Sequence, residues 1–204
     1  LKEVDYILCE DTRITGKLLS HYQIKKPLVS FNDFSEESKT PGVIADLLSG
    51  KNIAMVSDAG TPLISDPGFK LVREVITKGI KVESIPGPSA VISALAVSGK
   101  APDKFLFLGY LPKKSGRRQD MLQNLFIILA SMEDKRMRPT VIFYESPYRL
   151  LKTLEDIKEV FGDIDVVICR ELTKLHEEVR RQRVSQSIWH FAKVTPKGEF
   201  VIAF

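Results

Sequence analysis

The sequence predicts an α/β fold of two domains. Short apolar runs rich in β-branched residues recur along its 204 residues, each followed by a turn signal and often by a stretch with helical period. Such alternation is typical of a largely parallel sheet, which we expect at least in the first half of the chain. Small residues, glycine and proline between Val97 and Asp103 separate an apolar helix from a new strand. We therefore predict a first domain at residues 1–102 and a second at residues 103–204.

Seven segments have the composition of strands. They are Val4–Cys9, Ile53–Ser57, Lys81–Ile85, Phe105–Leu108, Thr140–Tyr144, Asp165–Cys169 and Phe200–Phe204. Apolar spacing and end signals predict three helices. The first, Pro67–Lys78, is amphipathic and stops at Gly79; the second, Ser89–Val97, is almost wholly apolar; the third covers residues 146–161.

Composition and charge limit the class of protein. With 44% hydrophobic and 27% charged residues the chain can bury a globular core, and no apolar run approaches the ~20 residues of a membrane span. Cys9, Cys169 and three histidines have no metal-ligand spacing, which predicts buried, reduced thiols in a cytoplasmic protein and no metal. Residues 101–204 carry 18 basic and 14 acidic side chains against 12 of each in residues 1–100, so the whole positive excess lies in the second half.

Three loops are candidate ligand sites, because α/β sheets bind ligands beyond the carboxyl ends of their strands. The longest, Asp58–Gly68, offers exposed N–H groups and a carboxylate, and its Asp66 is placed to cap the helix that Pro67 starts. It suits a polar ligand with an amine, a carboxylate or ribose hydroxyls. Ile85–Ala90 is a rigid turn before an apolar helix, and Cys9–Arg13 places three charges after a strand, where solvated charge is the alternative. No G-x-G-x-x-G or Walker loop supports dinucleotide binding or phosphoryl transfer.

Several motifs together resemble the ribosomal RNA small-subunit methyltransferase I family of the tetrapyrrole methylase superfamily. The string V-S-D-A-G-T-P-L-I-S-D-P-G at Val56–Gly68 looks like the family signature. Further matching strings keep the family's order along nearly the full chain: C-E-D-T-R at Cys9–Arg13, I-P-G-P-S-A at Ile85–Ala90, F-L-G-Y-L-P at Phe107–Pro112, F-Y-E-S-P-Y-R-L at Phe143–Leu150 and R-E-L-T-K at Arg170–Lys174.

The resemblance implies fold, activity and partners. It implies two α/β domains of the tetrapyrrole methylase type with S-adenosylmethionine in the cleft between them, and a homodimer. The family opens with a strand and a T-P-I-G-N-L loop ahead of the equivalent of Leu1, so we expect that first strand to be missing from this sequence. The implied reaction is methylation of a cytidine ribose 2′-hydroxyl in small-subunit ribosomal RNA.

The resemblance also implies site residues. Asp11 and Arg13 would approach the methyl acceptor, with Asp11 as the first candidate for a general base and Glu171 and Lys174 behind it. A structural or orienting role is the alternative for each of them. The cofactor-binding residues would be Asp58, Ala59, Gly60, Thr61, Pro62, Ile64, Ser65, Ser89 and Ala90.

Cationic segments of the second half suit RNA phosphates. Lys113, Lys114, Arg117 and Arg118 lie within six residues, and we expect them to bind RNA, with a solvated surface run as the alternative. The same half contains Lys135–Arg138 and Arg180–Arg183. Tyr110 and Tyr148 are candidates for base stacking, with core packing as the alternative.

Two other functions stay open. A methyltransferase for a small tetrapyrrole would share the cofactor loops and differ in the acceptor site. A non-catalytic RNA-binding fragment would result if loss of the first strand emptied the cofactor site and left the basic half intact.

Overall fold

The computed structural model describes residues 1–204, which form two compact units, Leu1–Ser89 and Ala90–Phe204. The division lies ahead of the boundary predicted from the sequence, at the start of the predicted apolar helix. The reason is packing: Val91, Ala94 and Leu95 of that helix are buried against strands of the second unit. The glycine and proline segment after Val97 is therefore internal to the second unit.

The first unit is built on a three-stranded parallel sheet, as predicted for this half. Its elements are β1 Tyr6–Cys9, α1 Thr12–His21, β2 Leu28–Ser30, α2 Glu36–Leu48, β3 Ile53–Val56 and α3 Phe69–Thr77. The strand order is β2-β1-β3, so β1 is central and buried while β3 is an edge strand. Its core joins Leu8 of β1 to Phe31 and to the apolar faces of α2 and α3.

One predicted strand of this unit is wrong. Residues 81–85 form no ladder with any strand, and the Ile85 side chain is 80% exposed. The β-branched composition is there, but a strand needs a neighbour for its N–H and C=O groups, and β3 pairs only with β1.

The second unit contains a five-stranded mixed sheet. Its elements are α4 Ala90–Ser98, β4 Phe105–Tyr110, α5 Ser115–Ser131, a 3₁₀ turn Lys135–Met137, β5 Thr140–Glu145, α6 Leu150–Phe161, β6 Asp165–Arg170, β7 Glu178–Arg183, α7 Val184–Lys193 and β8 Phe200–Ala203. The order is β4-β5-β8-β6-β7, in which only β4 and β5 run parallel. One face packs on α5, α6 and α7 and the other on α4.

The sequence did not predict six elements of the structure, which are α1, α2, α5, α7, β2 and β7. The strand β7 reads E-V-R-R-Q-R, which lacks an apolar face because it forms the edge of the sheet. The helix α5 exposes Phe126, Ile127 and Ile128, so its apolar residues do not follow one stripe. No helix is long and apolar enough to cross a membrane.

Candidate functional site

The carboxyl ends of β1 and β3 bring two of the predicted loops together. Cys9 and Val56 are paired in register, so the segments that follow them leave the same edge of the sheet side by side. The backbone N–H of Asp11 donates to Oδ1 of Asp58 at 3.2 Å. The C-E-D-T-R motif and the long loop are thus one local structure.

Asp11 is held by its own helix. It is the N-cap of α1, and its Oδ1 accepts from the backbone N–H of Arg13 at 2.8 Å. The Arg13 guanidinium also contacts both Asp11 oxygens. Hydrogen bonds from the Arg13 side chain and backbone lower the pKa of Asp11 to about 2. Such a carboxylate is a weak proton acceptor, so the geometry favours an orienting role for Asp11.

Glu10 is the acid that the sequence interpretation missed. Burial, together with the charges of Asp58, Asp66, Asp33 and Asp11, raises the pKa of this side chain. A carboxylate with a raised pKa is a stronger proton acceptor than one tied to an arginine. The only sequence signal was its place in the motif beside Asp11, because the acids that surround it come from three separate loops.

The long loop between β3 and α3 adopts an unusual backbone. Gly60, Leu63 and Ser65 all have positive φ, at 84°, 73° and 65°. For Leu63 and Ser65 this conformation costs ~1–3 kcal/mol each, a cost found most often at functional sites. The Thr61 hydroxyl donates to the carbonyl of Pro88 at 3.0 Å, which ties the loop to the segment that ends at Ser89. Ala59 and Gly60 are exposed.

The loop ends at Gly68, where the backbone passes close to the side chain of Met55. The helix α3 begins at Phe69 instead of Pro67, and its N-cap position is Gly68 instead of the predicted Asp66. Gly68 has a φ of 121°, and a Cβ there would lie 2.6 Å from Sδ of Met55. The backbone angle therefore requires glycine, and a side chain there would also displace the end of Met55.

Two of the predicted cofactor residues fall where the two compact units divide. Ser89 is the last residue of the first unit, and Ala90 is the first residue of both the second unit and α4. The remaining seven, Asp58, Ala59, Gly60, Thr61, Pro62, Ile64 and Ser65, share one loop.

Arg118 is a correction to the predicted RNA-binding set. Its side chain is 2% exposed and pairs with the equally buried Asp156 through Nε and Oδ2 at 2.6 Å. Its guanidinium also lies within hydrogen-bond distance of the carbonyls of Pro112 and Lys113. A buried arginine that is satisfied by a carboxylate and two carbonyls cannot reach a phosphate. Lys113 is exposed, as are Lys114 and Arg117.

The F-Y-E-S-P-Y-R-L motif stabilises the turn at residues 111–114, whose carbonyls Arg118 also contacts. Glu145 is fully buried and accepts hydrogen bonds from Arg149 at 2.8 Å and from the Thr153 hydroxyl at 2.6 Å. Arg149 also donates to the carbonyl of Leu111 at 3.0 Å. Arg118 and Arg149 therefore both hold the backbone of the turn that contains the exposed Lys113 and Lys114. Tyr148 is 96% exposed, so the alternative of core packing is wrong for it.

The R-E-L-T-K motif forms an ionic cluster. Glu171 accepts from the backbone N–H of Glu199 at 2.9 Å and from Lys174 Nζ at 3.0 Å, and these bonds lower its pKa. A second bond from Lys174 to the Glu199 carboxylate, at 2.8 Å, helps to raise the pKa of that lysine. A carboxylate with a lowered pKa is a weak base, and a lysine with a raised pKa stays protonated, so neither Glu171 nor Lys174 is poised to accept a proton and both have the character of structural groups.

Comparison with known proteins gives one consistent result. The family model for tetrapyrrole (corrin/porphyrin) methylases matches residues 1–187. The sequence is 48% identical over 202 residues to the ribosomal RNA small subunit methyltransferase I of Thermotoga maritima, covering 99% of this chain and 86% of the relative. It is 45% identical to the protein of that name from Synechocystis sp., covering 99% and 70%. The fold is similar to that of a solved cobalt precorrin-4 methyltransferase, with a TM-score of 0.64, 16% identity and coverage of 100% and 84%.

Proposed function

This chain belongs to the tetrapyrrole (corrin/porphyrin) methylase family, and within it to the ribosomal RNA small subunit methyltransferase I family, and we therefore propose that it methylates a cytidine ribose 2′-hydroxyl in small-subunit ribosomal RNA. The methyl donor in this proposal is S-adenosylmethionine and the site of action is the cytoplasm, where ribosomes are. A homodimer, as expected from the sequence resemblance, is part of the proposal.

The observation that supports the proposal is the contact between the loops that follow β1 and β3 at one edge of the sheet. The hydrogen bond from Asp11 N–H to Asp58 connects the loop that we assign to the cofactor with the motif that we assign to the acceptor. Catalysis by positioning requires such a connection, since holding an attacking oxygen in line supplies up to ~7–11 kcal/mol in the best intramolecular cases.

The residues of this edge fit the proposed cofactor. S-adenosylmethionine supplies a methyl group that is already activated by a positively charged sulfonium. Glu10, Asp11 and Asp58 make the edge acidic, which suits a ligand with a sulfonium and an ammonium group. The exposed backbone at Ala59 and Gly60 offers N–H and C=O groups for polar parts of the ligand.

The acceptor chemistry needs a place for one proton. The ribose hydroxyl loses its proton as its oxygen forms the bond to the methyl carbon. We assign that proton to Glu10, because burial and neighbouring acids raise its pKa whereas Arg13 lowers that of Asp11. Asp11 and Arg13, locked to each other, orient the acceptor. Phosphates are repelled by this acidic edge, and we assign them to the exposed cations Lys113, Lys114 and Arg117 of the second unit.

Cofactor binding is tested first by calorimetry with S-adenosylhomocysteine. The test variant is Gly60→Arg, which places a long side chain on the exposed part of the loop. The matched control is Gly50→Arg, because Gly50 also has positive φ, with open space around it, and lies at the amino end of β3. We expect micromolar binding that only Gly60→Arg abolishes. Equal loss or equal retention in both variants would refute the assignment of the loop.

The acceptor is tested with tritiated S-adenosylmethionine and purified small ribosomal subunits. Label in a 2′-O-methylcytidine after nuclease digestion is the expected result. Label on a base instead of a ribose would contradict the assigned acceptor atom. Transfer to a tetrapyrrole and not to RNA would support the rival small-molecule function, and cofactor-independent RNA binding without any transfer would support the fragment.

A further inference from the structure

A shallow, open groove lies between the strand β7 and the helix α7. It is lined by Arg180, Gln182, Ser185, Gln186, Trp189 and His190 and has a volume of about 470 Å³. Along the strand, Arg180 and Gln182 share one face because side chains alternate. Along the helix, Ser185 and Gln186 lie on the same side as Trp189 and His190, one turn later. The opposite side of α7, with Val184 and Phe191, is buried in the core.

The groove combines an exposed aromatic ring with cations. Trp189 is 63% exposed, and Nζ of Lys193 lies 3.7 Å from the centre of its ring. An ammonium at that distance attracts the ring electrostatically and fixes its position. A large exposed indole in a polar setting, held in place by a cation, is typical of a stacking platform for nucleobases.

Arg180 is not fully satisfied within the protein. Its terminal nitrogens contact Glu178 Oε1 at 2.8 Å and Gln182 Oε1 at 3.3 Å, whereas its buried Nε has no partner. Glu178 is the only acid among the groove's ionic contacts, and it is shared with Arg170 and His190. Two arginines around one carboxylate leave a local excess of positive charge.

The other arginines of this strand are used by the fold. Arg181 donates to the backbone carbonyls of Val97 and Ser98. Arg183 contacts the carbonyl of Asp163 at 2.6 Å and the carboxylate of Asp165 at 3.2 Å. The cationic string R-R-Q-R therefore divides by strand alternation into a structural face and a face toward the groove.

We propose that this groove binds a nucleotide of single-stranded RNA, with the base stacked on Trp189 and a phosphate held by Arg180 and Lys193. The inference rests on the proposed function, since it supplies an additional contact to the same ribosomal RNA. The observations favour RNA over a protein partner, because the groove offers one aromatic face, amides and cations but no aliphatic side chain.

The test uses the fluorescence of Trp189, which is the only tryptophan in the sequence. The protein is titrated with a single-stranded oligocytidine, and both the tryptophan emission and the dissociation constant from fluorescence anisotropy of the labelled RNA are recorded. We expect quenching on binding. Trp189→Ala should weaken binding by about 5- to 100-fold, whereas Trp189→Phe should retain most of the affinity. The control Tyr22→Ala removes an exposed aromatic of the first unit and should have no effect.

A second arm tests the phosphate contact. Arg180→Gln should lower the slope of log affinity against log salt concentration by ~0.7, as expected for one lost phosphate contact on a single strand. Arg73→Gln, at an exposed arginine of the first unit, should leave the slope unchanged.

The outcomes separate this inference from the proposed function. RNA binding without quenching, an unchanged affinity in Trp189→Ala, or no binding of RNA at all would overturn the groove as an RNA site. Methyl transfer to small subunits by the wild type would still stand in each case. Quenching by intact small subunits but not by RNA would point to a ribosomal protein as the partner and would also overturn the inference. Quenching by RNA with no methyl transfer would retain the groove and refute the proposed function.

Discussion

Removing Asp156 should strongly destabilise the second unit. The carboxylate pairs with Arg118 at 2.6 Å, and the two side chains are only 1% and 2% exposed. In Asp156→Leu the guanidinium of Arg118 would stay buried with its charge uncompensated. Breaking a buried pair in this way costs ~3–5 kcal/mol. Gln119 would lose one of two carboxylate contacts and keep the bond to Glu159 at 2.9 Å.

The matched control is the double variant Arg118→Met with Asp156→Leu. It removes both charges and fills the space with apolar groups, and such replacements are often neutral or stabilising. The double variant should therefore be more stable than either single variant, with a coupling free energy of ~2 kcal/mol or more.

The assay is equilibrium unfolding in urea followed by Trp189 emission. Trp189 and the Arg118–Asp156 pair lie in the same compact unit, so the signal reports the unit that is perturbed. We expect the midpoint to fall in Asp156→Leu without a change in the urea dependence. A loss below 1 kcal/mol, or a double variant less stable than Asp156→Leu alone, would refute the argument from burial.

Three further predictions concern the first unit and the thiols. Glu10→Gln should lower the methyl-transfer rate by ~10²- to 10⁴-fold and remove the acidic limb of the pH–rate profile, which lies above pH 4.5 in the wild type because the raised pKa belongs to the proton acceptor. Asp11→Asn should retain that limb. A Glu10→Gln rate within threefold of the wild-type rate would contradict the role of Glu10 as proton acceptor. Gly68→Ala should cost ~2 kcal/mol or more in urea unfolding, since its φ of 121° lies outside the left-handed helical region and Met55 must shift to admit the new Cβ, against ~1 kcal/mol for Gly79→Ala, whose φ of 71° lies near that region and whose surroundings are open. Both cysteine thiols are buried with raised pKa, so an aromatic disulfide reagent at pH 8 should modify neither until urea unfolds the chain; rapid labelling of the folded protein would contradict the packing.

Much of the fold followed from local patterns. The strands at Tyr6–Cys9, Ile53–Val56 and Thr140–Glu145 were predicted because buried strands are continuous runs of β-branched and aromatic residues. The helix Phe69–Thr77 was predicted from its apolar stripe and from Gly79 after its end. Elements with weak apolar patterns, such as the arginine-rich strand Glu178–Arg183, were missed because an edge strand needs no buried face.

The sequence by itself identified the family and the candidate ligand loops, because a thirteen-residue string and the turn residues around it can be recognised from local sequence. The charge state and the accessibility of the side chains could not be predicted in this way. Arg118 and Lys113 look alike in a basic run, yet one is buried on Asp156, 38 residues away, and the other is exposed. Glu10 and Asp11 are adjacent, yet acids from distant loops raise the pKa of the first, whereas Arg13 lowers that of the second. Which carboxylate can accept a proton, and which arginine can reach a phosphate, depends on desolvation and on partners far apart in the chain, and only the tertiary structure decides those.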